Sequence, residues 1–384
     1  MDGRIYLDHA AAMPVHPGVA RFARQFPESF AGNPSTIYRE GLAAQAAVAG
    51  AREKVAALIG AEDPASIIFT SGATESNNIA IRGTALRNQK LGKRVVTSAI
   101  EHISVLNPAR DLQKNGFVYT QVPVDRFGVI DLDAIKAAVT PGTVLTSVHS
   151  ANNEIGTIEP IRDVAEIVRD RGGLLHVDAT DAAGRIPVDV GRDGIDLLTL
   201  SGNQLGGPDG VGALYIHPGV RVQPVLVGGG QERGLRPGTE NVFGIACMGE
   251  AARIAKEEMP EESRRLRTIR DSLIDGITGI EEAYLTGHPA ERLPHHASFR
   301  FSRIEGESIQ LAMDMLGIAV ATGSACTSRT LEASHVLLAI GLAHDEAHGS
   351  MVATLGRRNS LDEVPRVVNA ARETVKRLRA ITPL

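Results

Sequence analysis

Residues 200–212 read LSGNQLGGPDGVG, and the fold is decided by what flanks them. A strand beginning at Asp196 runs through Leu197, Leu198, Thr199 and Leu200 into Ser201-Gly202. Gly206-Gly207-Pro208 then marks a turn, and 211–216 reads as a second strand. Two apolar strands joined by so polar a loop present side chains at a sheet edge, where sites are commonly built.

Working outward, strands and helices alternate. Strands fall at 67–70, 95–97, 118–122, 144–149 and 174–178, with helices at 41–59, 74–88, 104–114, 132–139 and 161–171. The first of these helices shows Leu42, Val48, Val55 and Leu58 at helical spacing. Strands separated by helices imply parallel crossovers, hence an α/β sheet covered on both faces. Beyond Gly228-Gly229-Gly230 the pattern changes to helices at 241–258 and 261–279, a strand at 297–301, a helix at 307–316, a loop at 321–328, a strand at 351–355 and a last helix from 361. That shift predicts a domain boundary near 260.

With 384 residues, 43% apolar and 22% charged, the composition is that of a globular protein. No run of apolar residues is long enough to cross a membrane, and Met1-Asp2-Gly3-Arg4 lacks a signal-peptide pattern, so a cytoplasmic protein is expected. A net charge of −5 and 4% aromatic residues argue against nucleic acid as a ligand. The two cysteines, Cys247 and Cys326, are too far apart in sequence for a CxxC metal knuckle. His344 and His348, four apart with Glu346 between, have the spacing of metal ligands but lack a third partner. His295-His296 and the charge run at 257–270 read as solvated surface.

Several short motifs bear on chemistry. Ser71-Gly72-Ala73-Thr74 lies between a strand and a helix, where backbone N–H groups cap the helix or hold a phosphate. Glu101-His102 follows a strand, Asn153 sits in Asn152-Asn153-Glu154-Ile155-Gly156, Asp178 ends a strand, and Thr239 closes Arg236-Pro237-Gly238-Thr239. Together with SGxxxxGPxGxGALY at 201–215, these motifs occur in the order found in cysteine desulfurases of the IscS/NifS group, and the resemblance covers nearly the whole chain. It implies a fold-type-I, aminotransferase-like enzyme that uses pyridoxal phosphate (PLP) and works as a homodimer, with a large sheet domain over 14–259 and a smaller α+β domain made of 1–13 and 260–384. By resemblance, Ala73, Thr74 and Ser201 hold the phosphate, His102 stacks on the pyridine ring, Asp178 pairs with the ring nitrogen, Asn153 lies beside the cofactor, and Thr239 reaches the phosphate in the partner subunit.

The departures from that family are as informative. Where the family has SGHK, with a lysine that condenses with PLP, this chain has Asn203 and Gln204. A carboxamide cannot form an imine or shuttle a proton near neutral pH. Where the family has DATQ, Asp181 replaces the amide that donates to the cofactor phenolate; where it has RFSLGR, Val352 replaces the arginine that grips a substrate carboxylate, and Arg357 is too far along to take its place. Cys326, in ATGSACTS at 321–328, is kept. Its small neighbours read as an exposed loop, in which a thiolate is a nucleophile and a soft-metal ligand. Cys247, beside Ile245 and Met248, reads as core.

These residues point to a cysteine-desulfurase-like protein of iron–sulfur cluster assembly. Cys326 is expected to carry sulfur, or to ligate a nascent [2Fe–2S] cluster shared with a scaffold of the IscU type, with PLP held non-covalently or not at all. The alternative is an active desulfurase, converting cysteine to alanine and a persulfide on non-covalently held PLP.

Overall fold

The computed structural model describes residues 3–26, 32–323 and 333–381. Its described strands, in chain order, are β1 (Ile5–Tyr6), β2 (Ile67–Thr70), β3 (Arg94–Ser98), β4 (Val118–Val122), β5 (Thr143–His149), β6 (Leu174–Asp178), β7 (Leu197–Ser201), β8 (Gly212–Ile216), β9 (Ala283–Leu285), β10 (His296–Phe301), β11 (Ile318–Ala319) and β12 (Ser350–Thr354). Seven form one sheet in the order β2-β8-β7-β6-β5-β3-β4, in which only β8 runs antiparallel to its neighbours. The mostly parallel seven-stranded sheet expected from the alternation is therefore present.

Side chains alternate across this sheet. Ile67, Phe69, Leu198 and Leu200 pack into one apolar core, and Ile68 and Leu197 into the core on the opposite face. Helix Arg39–Leu58 covers the first face through Gly41, Ala44, Val48, Ala51 and Val55. Leu42, expected on that face, is 53% exposed. Small residues win the inner face because helix Val242–Thr278 approaches so closely that a Cβ on Gly249 would lie 2.5 Å from the Ala51 Cα.

The helices expected on either side of Pro260 are one helix, Val242–Thr278. An interior proline costs about 3 kcal/mol in an isolated helix. Here both halves are fixed by burial: Ile245, Met248 and Ile254 belong to the large core, and Leu266, Ile269 and Leu273 to a second core with Phe299, Phe301 and Val367. The second core packs against the antiparallel sheet β12-β10-β9. β1 joins this part of the molecule by pairing with β11, so the N-terminal strand and the C-terminal third come together.

His295 and His296 are buried rather than solvated. His296 opens β10, and its Nε2 lies 2.8 Å from the Asn153 carbonyl oxygen, which makes Nε2 the protonated nitrogen. The charge run at 257–270 is mixed, since Arg270 at its end is buried and donates to the Leu293 carbonyl. Cys247 is buried as expected, and burial pushes its thiol up. His344 and His348 share a short helix, but Glu346 pairs with Arg300, and among the described residues no three side chains are grouped to hold a metal. No helix among them is long and apolar enough to cross a membrane.

Candidate functional site

Ligand sites in open α/β sheets form at the carboxyl ends of parallel strands. Here the ends of β2, β3, β5, β6 and β7 open into a cleft of about 530 Å³. Ala73, Thr74, His102, Asn153, Asp178, Ser201 and Gln204 all line it, as do the divergent positions Asn203, Asp181 and Val352. Thr239 is exposed and does not line the cleft of its own chain. Cys326 lies outside the described residues, three positions beyond Gly323, which lines the cleft.

Residues 73–87 form a helical run, with one π-turn at Ile79–Gly83, starting directly after Gly72. The Ser71 N–H is taken by the Glu75 carboxylate, which Arg236 also contacts at 3.2 Å. The first N–H groups of the run, at Ala73 and Thr74, have no carbonyl behind them to bond and face the cleft wall beside the Thr74 hydroxyl.

Deeper in, buried Asn77 donates to Asp178 Oδ2 at 2.8 Å and to Ser104 Oγ at 2.9 Å. Ser104 Oγ lies 2.7 Å from His102 Nδ1, and the Ser104 N–H also donates to that nitrogen. Nδ1 is therefore an acceptor, and a neutral His102 carries its proton on Nε2. Asp178 Oδ1 accepts from the Thr180 N–H and hydroxyl, which fixes this carboxylate at the carboxyl end of β6. Asn77 was not singled out from the sequence; its only signal is a polar pair, Asn77-Asn78, in a helix whose neighbours are buried.

At the head of the cleft Gln204 is 7% exposed and donates through Nε2 to the Ala10 carbonyl at 2.6 Å. Asn203 accepts from Ser201 Oγ at 2.7 Å. Burial and the neighbouring Asp178 carboxylate push Asp181 up to about 7. At neutral pH Asp181 is thus a mixture of acceptor and donor, not solely the acceptor its residue type implies. Val352 is buried on β12 with no cation beside it in the cleft lining, and Arg357 is turned away to pair with Glu258.

Two titratable features, one buried and one half-buried at the cleft wall, were not read from the sequence. His149, held up at about 9 by Glu101 and Glu159, lies between these two carboxylates at 3.6 Å from each. Glu154, whose carboxylate accepts from the Ser334 hydroxyl, is pushed up to about 7 by burial. Because its folded value lies above the ordinary 4.5, the stability linked to its proton is complete below that pH and is lost as pH rises through about 7. Glu154→Gln, which keeps an acceptor for Ser334, is therefore expected to add about 2 kcal/mol at about pH 8 and nothing near pH 4.5, as read by urea unfolding.

The donor set fits the phosphate and ring of PLP. Free N–H groups at Ala73 and Thr74 suit an anion, His102 presents a flat ring, and Asp178 is held as an acceptor for a protonated ring nitrogen. No lysine lines the cleft, so the described lining offers no amine to the aldehyde carbon.

The fold and this site define a class. The chain matches the model of the class-V aminotransferases over residues 5–367 and belongs to that family. Within it, the relatives are cysteine desulfurases of the IscS/NifS type. The chain is 49% identical to cysteine desulfurase IscS 1 of Archaeoglobus fulgidus over 99% of both chains. It is 44% identical to cysteine desulfurase IscS of Methanosarcina thermophila over 99% of this chain and 94% of that one. Among solved structures, a NifS-like protein superposes with a TM-score of 0.91 at 35% identity, over 98% of this chain and 100% of that one. SspA in complex with cysteine superposes with a TM-score of 0.80 at 32% identity, over 91% of this chain and 98% of that one.

Proposed function

We propose that this chain handles sulfur for iron–sulfur cluster assembly through the thiol of Cys326, and that its cleft holds a PLP-type cofactor without a covalent link. The observation that carries this reading is Gln204, a buried amide bonded to the Ala10 carbonyl where the desulfurase pattern has lysine.

The roles of the residues are those the desulfurase pattern gives these positions, and their place in the lining supports them. Ala73, Thr74 and Ser201 would hold the phosphate, His102 would lie against the ring, and Asp178, oriented by Asn77 and Thr180, would keep the ring nitrogen protonated. When bound, such a cofactor supplies an electron sink for carbanion chemistry. Gln204 neither accepts nor releases a proton, and Val352 gives a substrate carboxylate no charged partner, so rapid turnover of cysteine is lost.

The thiol does the remaining work. A Cys326 thiolate takes the outer sulfur of a donor persulfide, the donor thiolate leaves, and the new persulfide is passed to a scaffold of the IscU type. Ligating a shared [2Fe–2S] cluster is the alternative use of the same thiolate. Exposed Leu226, Val227 and Phe243 near the loop that ends at Thr239 support a homodimer in which Thr239 serves the partner's cleft. The setting is cytoplasmic.

The test is cluster assembly on an IscU-type scaffold supplied with a small persulfide. Cys326→Ser is expected to lower the rate by about a hundredfold, because a serine hydroxyl is neither a nucleophile toward sulfur nor a soft ligand. An unchanged rate would remove the thiol from the reaction. The rival, an active desulfurase on non-covalent PLP, is supported by the family's ring and phosphate residues being retained in the cleft lining, and it predicts continuous release of alanine.

A further inference from the structure

A charged bridge lies behind the lining of the cleft. His149 ends β5, and its Nδ1 lies 3.6 Å from the Glu101 carboxylate and its Nε2 3.6 Å from that of Glu159. All three side chains are buried, and none of them lines the cleft. Asp178 stands beside His149 in the register of β5 and β6.

Each carboxylate belongs to a segment that carries a residue of the lining. Glu101 directly precedes His102, accepts from the Ser98 hydroxyl at 2.5 Å, and has its carbonyl 3.0 Å from His335 Nε2. Glu159 accepts from the Ile130 N–H at 2.9 Å. Its own N–H donates to the Ser150 carbonyl at 3.0 Å, which closes the loop that presents Asn153 and Glu154 to the cleft. The two segments also meet through Asn152, whose side chain donates to the Ile100 carbonyl at 3.0 Å.

Such a bridge needs a cation at its centre. A neutral imidazole has one N–H and serves one carboxylate, whereas an imidazolium donates on both sides. Burial opposes that charge, but Glu101, Glu159 and Asp178 outweigh it and hold His149 up at about 9. Burial pushes Glu101 up to about 7 against the pull of His149, so between these two values both are charged. Asp181 and His335 are the other titratable groups that respond to His149.

We propose that His149 is a positioning residue of the cleft: its imidazolium, set between Glu101 and Glu159, fixes the segment that carries His102 against the loop that carries Asn153. This rests on the reading of the cleft as a PLP-type site, in which His102 and Asn153 lie beside the ring. His149 itself does not face the ligand, so it acts only through the two segments it holds. Without the imidazolium one buried carboxylate loses its donor, and the segment behind it is expected to move toward water.

Equilibrium dialysis of the purified full-length protein against pyridoxal phosphate at about pH 8, read by the ligand's absorbance, tests this. His149→Gln, whose amide donates to one carboxylate only, is expected to bind about tenfold more weakly. The double variant His149→Gln/Glu159→Gln, in which the second amide donates to the first, is expected to regain most of that loss. Raising the pH to about 10 removes the His149 proton, so the unmodified protein is expected to weaken about tenfold relative to the double variant. Titration of the ligand itself is common to both proteins and cancels in that ratio. If His149→Gln fails to fold, the pH comparison decides alone. Unchanged affinity in His149→Gln, or a ratio unmoved by pH, would overturn the positioning role and leave the cleft as a cofactor site. Failure of the unmodified protein and the double variant alike to bind pyridoxal phosphate would overturn both.

Discussion

With Gln204 replaced by lysine, pyridoxal phosphate is expected to survive dialysis and to be fixed by borohydride, its retention rising about a hundredfold over the unmodified protein. Gln204 follows β7 in a short 3-10 turn, Asn203–Leu205, that closes on Gly206 in the left-handed region at φ 79°. That turn sets the side chain into the cleft wall, 2.6 Å from the Ala10 carbonyl at its tip. A lysine on the same backbone reaches the same space and ends in an amine. Burial lowers the charge on that amine while Asp8 and Asp181 favour it, so attack on the aldehyde is expected to speed up as pH rises. Fast turnover is not expected to return with it, because Val352 still leaves a substrate carboxylate unpaired. Equal loss of cofactor from both proteins on dialysis would show that position 204 does not face the aldehyde carbon.

Arg52→Ala is expected to destabilise the fold by about 3 kcal/mol or more. Arg52, on helix Arg39–Leu58, grips Glu232 with two bonds at 2.9 and 2.6 Å and also donates to the Ile67 carbonyl. Glu232 is 8% exposed and accepts from the Phe69 N–H at 2.8 Å. Since β2 is an edge strand, the pair occupies outward-facing backbone groups that would otherwise be open. Removing Arg52 leaves a buried carboxylate with a single backbone donor.

The same pair holds Glu232 and Arg233 in the left-handed region, at φ 44° and 58°, within the loop that carries Thr239. Urea unfolding checks the loss, and a double variant with Glu232→Gln is expected to recover part of it. A loss under about 1 kcal/mol would place the pair among ordinary surface ion pairs.

The large sheet and most of the cleft were legible in the sequence because the parallel strands that border the cleft, β2, β3, β5, β6 and β7, are short runs ending in a polar residue. Ser71, His102, Asp178 and Ser201 stand at or just past such ends, so their convergence follows from the topology. Features that depend on packing between distant segments were not legible. Pro260 reads as a helix break, but burial of both flanks in two cores carries the helix through it. His295-His296 reads as polar surface, but the Asn153 carbonyl and the start of β10 draw it inside. Asn77 and Glu154 gain their roles from Asp178 and Ser334, partners 101 and 180 residues away. No local pattern carries that information.

On the proposed function, the amide at Gln204 is what separates this chain from a working desulfurase, and multiple-turnover release of alanine from cysteine by the unmodified protein, with cofactor added, tests that most directly. The expected result is release that stops at or below one equivalent per chain, while Cys326 remains reactive toward a persulfide donor. Sustained catalytic release of alanine would contradict it.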